Sequence, residues 1–176
     1  MSEANDSHRE YHELGGQAGI VKIGELVKDI RMAMMSSVAP NGSISSRPMA
    51  TQNEPFNGIL WFLTRGSSEK VDELQHDSHV TLNYADPGNS KYIALKGKAS
   101  ISNDRAKIKE LWNPIYKAWF PKGEDDPDIA VLRVDVTEGD YWEASTSKLI
   151  MGFKYLAAAV TGGKISVGEA GHIVTK

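Results

Sequence analysis

No cysteine occurs in the chain, which excludes disulfides, thiol nucleophiles and zinc–thiolate sites. Positive charge is not in excess either. Twenty Lys and Arg stand against 23 Asp and Glu, a net charge of -3, so nucleic acid is a poor first partner. Long hydrophobic runs are missing: the longest, "YLAAAV", falls far short of the roughly 20 residues of a membrane span. The amino-terminal "MSEANDSHREYHE" is polar, without the apolar centre of a signal peptide, and the expected location is the cytoplasm. Neither "GQAG" nor "TGGK" has the GxxxxGKS/T spacing of a phosphate loop. The acidic run "GEDDPD" lacks calcium-loop spacing, so it reads as a solvated loop. His76 and His79 straddle a helix end with no carboxylate cluster beside them, so no metal is expected and both are read as surface histidines. Ser145, Ser147 and Lys148 have no base in reach by pattern, and no catalytic residue can be named.

What remains is 176 residues, 40% hydrophobic, without repeats or low-complexity linkers. That describes one domain with a real core. The expected organisation is a flexible amino terminus over 1–15, a domain over 16–160 and a tail over 161–176. Ile20, Ile23, Val27 and Ile30 recur at helical steps. "MAMMSSV", "SISSRPMA" and "GILWFLT" read as strands, the first two joined by an Asn41-Gly42 hairpin turn. "SSEKVDELQHD" reads as a short helix with Ser67 or Ser68 as N-cap. Strands follow in "HVTLNYA", with Tyr84 half-buried, and in "KYIALKGKASIS". A helix kinked at Pro114 is predicted over "NDRAKIKELWNPIYKAWF", with Ile108, Leu111, Trp112, Ile115, Tyr116 and Trp119 on one apolar face. "IAVLRVDVTEGDYWEAS" supplies one or two further strands, and "LIMGFKYLAAAV" a last helix. The order predicts a mainly β (α+β) fold, a six- to seven-stranded antiparallel split or closed barrel with peripheral helices.

Two features point to an anionic ligand. Arg47, within a strand, offers a planar fork of donors suited to phosphate. The run "LTRGSSEK" places hydroxyls, amides and Lys70 at a helix N-terminus, where free N–H groups favour an anion. Each has a plainer reading, an ion pair with a nearby glutamate for Arg47 and a capped surface helix for the serines. Trp112 and Trp119, at helical spacing, are assigned to packing, whereas Trp142 in "GDYWEAS" is open to ligand or interface contact.

Together, "SSRPMA", "LWFLTRGSSEK", "YIALKGKASI" and "VDVTEGDYWEAS" make the chain resemble the pyridoxamine 5'-phosphate oxidase-like, FMN-binding split-barrel superfamily, and within it the general stress protein 26 group. The resemblance runs from Gly24 to Gly152. It implies FMN as cofactor, without distinguishing FAD, and a homodimer with the flavin at the subunit interface. It places Arg47, Pro48, Met49 and Ala50 along the flavin, and Thr64, Ser68 and Lys70 at its phosphate. Trp142 would meet the flavin of the partner subunit. Glu69 stands where a basic residue would be, so it must point away or weaken the phosphate grip. Tyr92 replaces the oxidases' glutamine, and the tail offers His172 but no arginine, so pyridoxamine phosphate oxidation is not implied. Three functions follow as expectations: a flavin-dependent oxidoreductase, a non-catalytic flavin-binding or flavin-buffering module, and a cofactor-free dimeric barrel.

Overall fold

Strict alternation of buried and solvent-facing residues along most strands makes this a sheet protein with one filled interior. The computed structural model describes residues 9–52, 54–144 and 168–176. Its elements run β1 (Arg9–Gly15), α1 (Gly16–Val27), β2 (Met32–Val38), β3 (Ile44–Ala50), β4 (Ile59–Arg65) and α2 (Glu69–His76). They continue with β5 (His79–Asp86), β6 (Lys91–Ser102), α3 (Arg105–Leu111), β7 (Ile129–Ala144) and β8 (Gly168–Val174).

The sheet follows the order β1-β8-β7-β6-β5-β2-β3, with β4 paired to β7 off that path. The long strand β7 explains the branching. Its first half, Ile129–Asp135, pairs with β4, its second half pairs with β8, and β6 runs along its other edge. No ladder joins β3 to β4 among the described residues, and the barrel is split there. Ile23, Leu26 and Val27 of α1 pack into the interior with Met35, Phe62, Leu82, Leu95 and Leu132. Burying several such side chains, at roughly 1.5–3 kcal/mol each, is what holds α1 against the open sheet. A second cluster gathers Ile108, Leu111, Phe120, Ile129 and Val131 between α3 and the start of β7.

Several local expectations change. The sheet has eight strands, not six or seven. Arg9–Gly15, within the amino terminus expected to be flexible, forms a strand paired in parallel with β8, which itself lies in the expected tail. Tyr84 is 2% exposed rather than half-buried, and burial pushes its phenol up to about 12. The single kinked helix does not form: α3 stops at Leu111 and a short 3-10 turn spans Pro114–Ala118. Proline disfavours helical backbone in the residue before it, and Asn113 is extended at φ -129°, ψ 135°. The apolar face is thereby divided, leaving Ile115 65% and Trp119 56% exposed. The segment "IAVLRVDVTEGDYWEA" is one strand, with an extra residue at Thr137: Lys96 pairs with Glu138 but Gly97 with Val136. The helix expected over "LIMGFKYLAAAV" and residues Ser145, Ser147 and Lys148 lie outside the described residues. Among the described residues no helix is long and apolar enough to cross a membrane.

Candidate functional site

Strand β3 is an edge strand, and its free edge explains Pro48. The Thr51 N–H donates to the Arg31 carbonyl at 2.9 Å on the β2 side. In an antiparallel ladder alternate residues turn to opposite edges, so Met49 and Arg47 also face β2 while Pro48 and Ala50 face the split. A residue without an N–H costs nothing at that edge. The Ala50 carbonyl there accepts only a long bond, 3.5 Å, from Gln52 Nε2.

The split encloses a cavity of about 570 Å³, within the range of small-ligand sites. Pro48, Met49 and Ala50 line it from β3, Leu63, Thr64 and Arg65 from β4, and Ser68 and Lys70 from the start of α2. The 3-10 turn and the residues after it close the remaining side with Tyr116, Trp119 and Phe120. Six of the eight residues picked out from the sequence therefore share one cavity.

Its polar end is short of partners. Thr64 is 3% exposed, yet its Oγ1 has no hydrogen-bond partner among the described residues. Leaving such a group unpaired costs about 1–3 kcal/mol. Among the described residues Lys70 Nζ reaches only the thioether of Met49, at 3.5 Å. Burial, then the nearby Arg47 charge, lowers the Lys70 ammonium to about 8, against partial relief from Glu73. Ser68 occupies the N-cap position of α2 with extended backbone, but its hydroxyl donates to the Arg65 carbonyl at 2.7 Å rather than to the helix. Of the first-turn amides of α2, that of Val71 donates to the Ser68 carbonyl at 2.9 Å, while those of Glu69 and Lys70 have no partner within the helix. Glu69 is exposed and does not line the cavity.

Two sequence-selected residues are not in it. Arg47 turns to the interior face, where its guanidinium bonds both Ser37 Oγ and Glu73 Oε2. Ser37 Oγ also donates to Glu73 Oε2 at 2.6 Å. Burial opposes ionisation of Glu73, but hydrogen bonds from Ser37, Arg47 and Ser45 outweigh it and hold the carboxyl below its ordinary range. The glutamate ion pair, not direct cavity lining, is the arrangement Arg47 adopts. Trp142 lies on β7 between Tyr92 and Ala170, away from the cavity of its own chain.

Arg65, Tyr116, Trp119 and Phe120 were not selected from sequence. Arg65 follows directly on the strand "LWFLT", which was the one available signal. Trp119, assigned to packing by helical spacing, is freed by the break at Pro114. Trp112 does pack, with its ring centroid 6.1 Å from Tyr116 and 6.4 Å from Phe120. Trp61 stacks under two cations, Lys107 at 4.7 Å and Arg133 at 5.7 Å. Among the described residues no group of three or more His, Asp or Glu is placed to hold a metal ion.

A family model described as pyridoxamine 5'-phosphate oxidase like matches residues 18–166. The chain belongs to the pyridoxamine 5'-phosphate oxidase-like family. Protein bli-3 of Neurospora crassa is 30% identical over 140 residues, which cover 74% of this chain and 66% of that protein, just under two thirds of its length. The general stress FMN/FAD binding protein of Xanthomonas citri is 25% identical, with a TM-score of 0.63 over 73% of this chain and 90% of that one. General stress protein 26 of Bacillus anthracis str. Sterne shares the fold at 23% identity, with a TM-score of 0.60 over 70% and 90% of the two chains. The chain is a split barrel of this family. The cavity of this pyridoxamine 5'-phosphate oxidase-like chain has a mostly apolar wall with a few polar side chains in its lining. Aromatic and aliphatic side chains make most of its wall, and Thr64 and Lys70, whose polar atoms lack a matching partner among the described residues, are also in its lining.

Proposed function

We propose that the chain is a flavin-binding protein that holds FMN or its dinucleotide in the split between β3 and β4. The observation that carries this reading is the pairing of Thr64 Oγ1 and Lys70 Nζ. Among the described residues the buried Thr64 Oγ1 has no partner and the largely buried Lys70 Nζ has only the Met49 thioether, and both residues line one cavity. A phosphate supplies the acceptor for the hydroxyl and the charge for the ammonium, and the α2 amides add donors. The apolar edge of Pro48, Met49 and Ala50 suits the ring. The Xanthomonas citri relative, an FMN/FAD binding protein, supports the same reading.

When bound, a flavin supplies hydride and electron transfer, and the chain's own residues need only bind, orient and exclude water. Pyridoxamine phosphate oxidation is not the proposed reaction. Tyr92, in the place of the oxidases' glutamine, is 45% exposed on the outer side of β6, and His172 is committed to Asp140 at 2.8 Å within β8. The reading includes a homodimer. By ladder register, Met32, Pro48 and Ala50 lie on the same outward side of the sheet as Tyr92 and Trp142. A second copy applied to that side brings its Trp142 toward the cavity.

Absorbance of the purified protein and calorimetric titration with FMN test the assignment. Thr64→Val removes the hydroxyl with little change of shape. It should weaken FMN at least about tenfold, as expected for a hydrogen bond to a charged group. The ligand-free variant should be no less stable, because it loses an unpaired buried oxygen. Absence of flavin binding by the natural chain, or unchanged affinity in the variant, overturns the assignment.

A further inference from the structure

One wall of the cavity has no task in holding a mononucleotide. Trp119 is 56% exposed, and among the described residues its one ring neighbour is Tyr116, at 6.4 Å and 54°. An indole left this open beside a concave wall presents a stacking surface. Next to it the Arg65 guanidinium donates to the Trp119 carbonyl and to Asp128 at 3.4 Å, and lies 5.5 Å from the Phe120 ring. Those two bonds leave three of its five donors unassigned. Asp128 is itself occupied by the amide and hydroxyl of Ser67, each at 2.9 Å. Ser68 donates to the Arg65 carbonyl at 2.7 Å, so the aromatic wall continues directly from the polar end of the cavity.

We propose that Arg65 and Trp119 form a second subsite, which takes the adenosine diphosphate portion of a dinucleotide. Arg65 meets the additional phosphate, and Trp119 stacks on the adenine. A single phosphate is served by Lys70, beside Thr64 and Ser68 on the same cavity. A diphosphate brings another negative charge, and Arg65 is the cation positioned for it on the same cavity. The placement of the first phosphate rests on the flavin reading, whereas the shelf itself does not. An adenosine diphosphate group can come from FAD or from a reduced nicotinamide dinucleotide, and the test separates them.

Calorimetric titrations of the full chain and of Trp119→Ala use FMN, FAD, NADPH and ADP. The exposed position of Trp119 makes the variant compatible with folding. Stacking on an aromatic is worth about 1–3 kcal/mol per base, a roughly 5- to 150-fold effect. The variant should lose at least about fivefold in ADP affinity, with FMN changed less than twofold. A matching loss for FAD assigns the shelf to the flavin's own adenine, and a matching loss for NADPH alone assigns it to the reductant. Equal losses for FMN and FAD, or an unchanged ADP affinity, overturn the subsite. Should no flavin bind at all, the flavin reading fails while the ADP comparison still decides the shelf.

Discussion

Lys70 is the cavity residue whose protonation a bound phosphate would change. Burial among Met49 and its neighbours, reinforced by the Arg47 charge, holds its ammonium at about 8 instead of 10.5. A phosphate within reach favours the charged form and moves that value back up. Binding therefore takes up a proton whenever the solution is more alkaline than about pH 8. FMN affinity should be flat near neutrality and fall about tenfold between pH 7 and pH 9, by simple proton linkage. Lys70→Met should bind more weakly at pH 7 and lose most of that slope. A wild-type slope that survives in the variant assigns the proton elsewhere. The sign for stability is the reverse of the usual lysine pair. Because the folded value is depressed, the ligand-free fold is penalised at neutral pH and gains stability as pH rises from about 8 toward 10.5.

Among elements, α2 carries the cavity's polar end and is held to the barrel by a buried ion pair. Glu73 stands one turn beyond Lys70 and is 7% exposed, and its carboxylate meets Arg47 and Ser37 from β3 and β2. Removing one partner leaves a buried charge, which costs about 3–5 kcal/mol in comparable pairs. Arg47→Met and Glu73→Gln should each destabilise the protein strongly in urea unfolding, and the double variant by clearly less than their sum. Additive losses would mean that the two side chains act separately. The Glu73 contribution is present above its ordinary value of 4.5 and is lost as pH falls through its lowered folded value. Arg47 thus supports the site through α2, which could not be read from "SISSRPMA" alone. Its glutamate partner sits 26 residues away on a helix whose docking the sequence does not announce. The same limit hid other parts. Strands with clean alternation, such as "HVTLNYA", were legible because one face is core. β1 carries Tyr11, Glu13 and His12 in no such pattern and is ordered by its neighbour β8. The aromatic wall was illegible because the break at Pro114 turned a helical stripe into two unrelated surfaces.

The whole molecule presents one broad sheet side with large apolar groups facing solvent. Met32, Met34, Tyr92 and Tyr11 are 47%, 44%, 45% and 58% exposed. Large exposed apolar patches of this kind mark association surfaces. Light scattering coupled to gel filtration should give twice the chain mass. Met34→Arg, which lies on that side without lining the cavity, should yield the monomer and weaken flavin binding together. A dimer unaffected by the substitution relocates the interface and removes Trp142 from the site.

The additional residue at Thr137 reaches further than the local kink. Before it, even-numbered residues of β7 point inward, as Leu132, Val134 and Val136 do. After it, the odd-numbered Gly139 and Tyr141 are the buried ones. The strand thus contains a phase boundary, across which a fixed period of two cancels itself. The same sequence held to a strict period of two through Thr137, without the bulge, would exchange the two neighbours beyond it. The Tyr141 ring, 1% exposed, would be expelled to solvent, and the indole of Trp142 would be driven into the core.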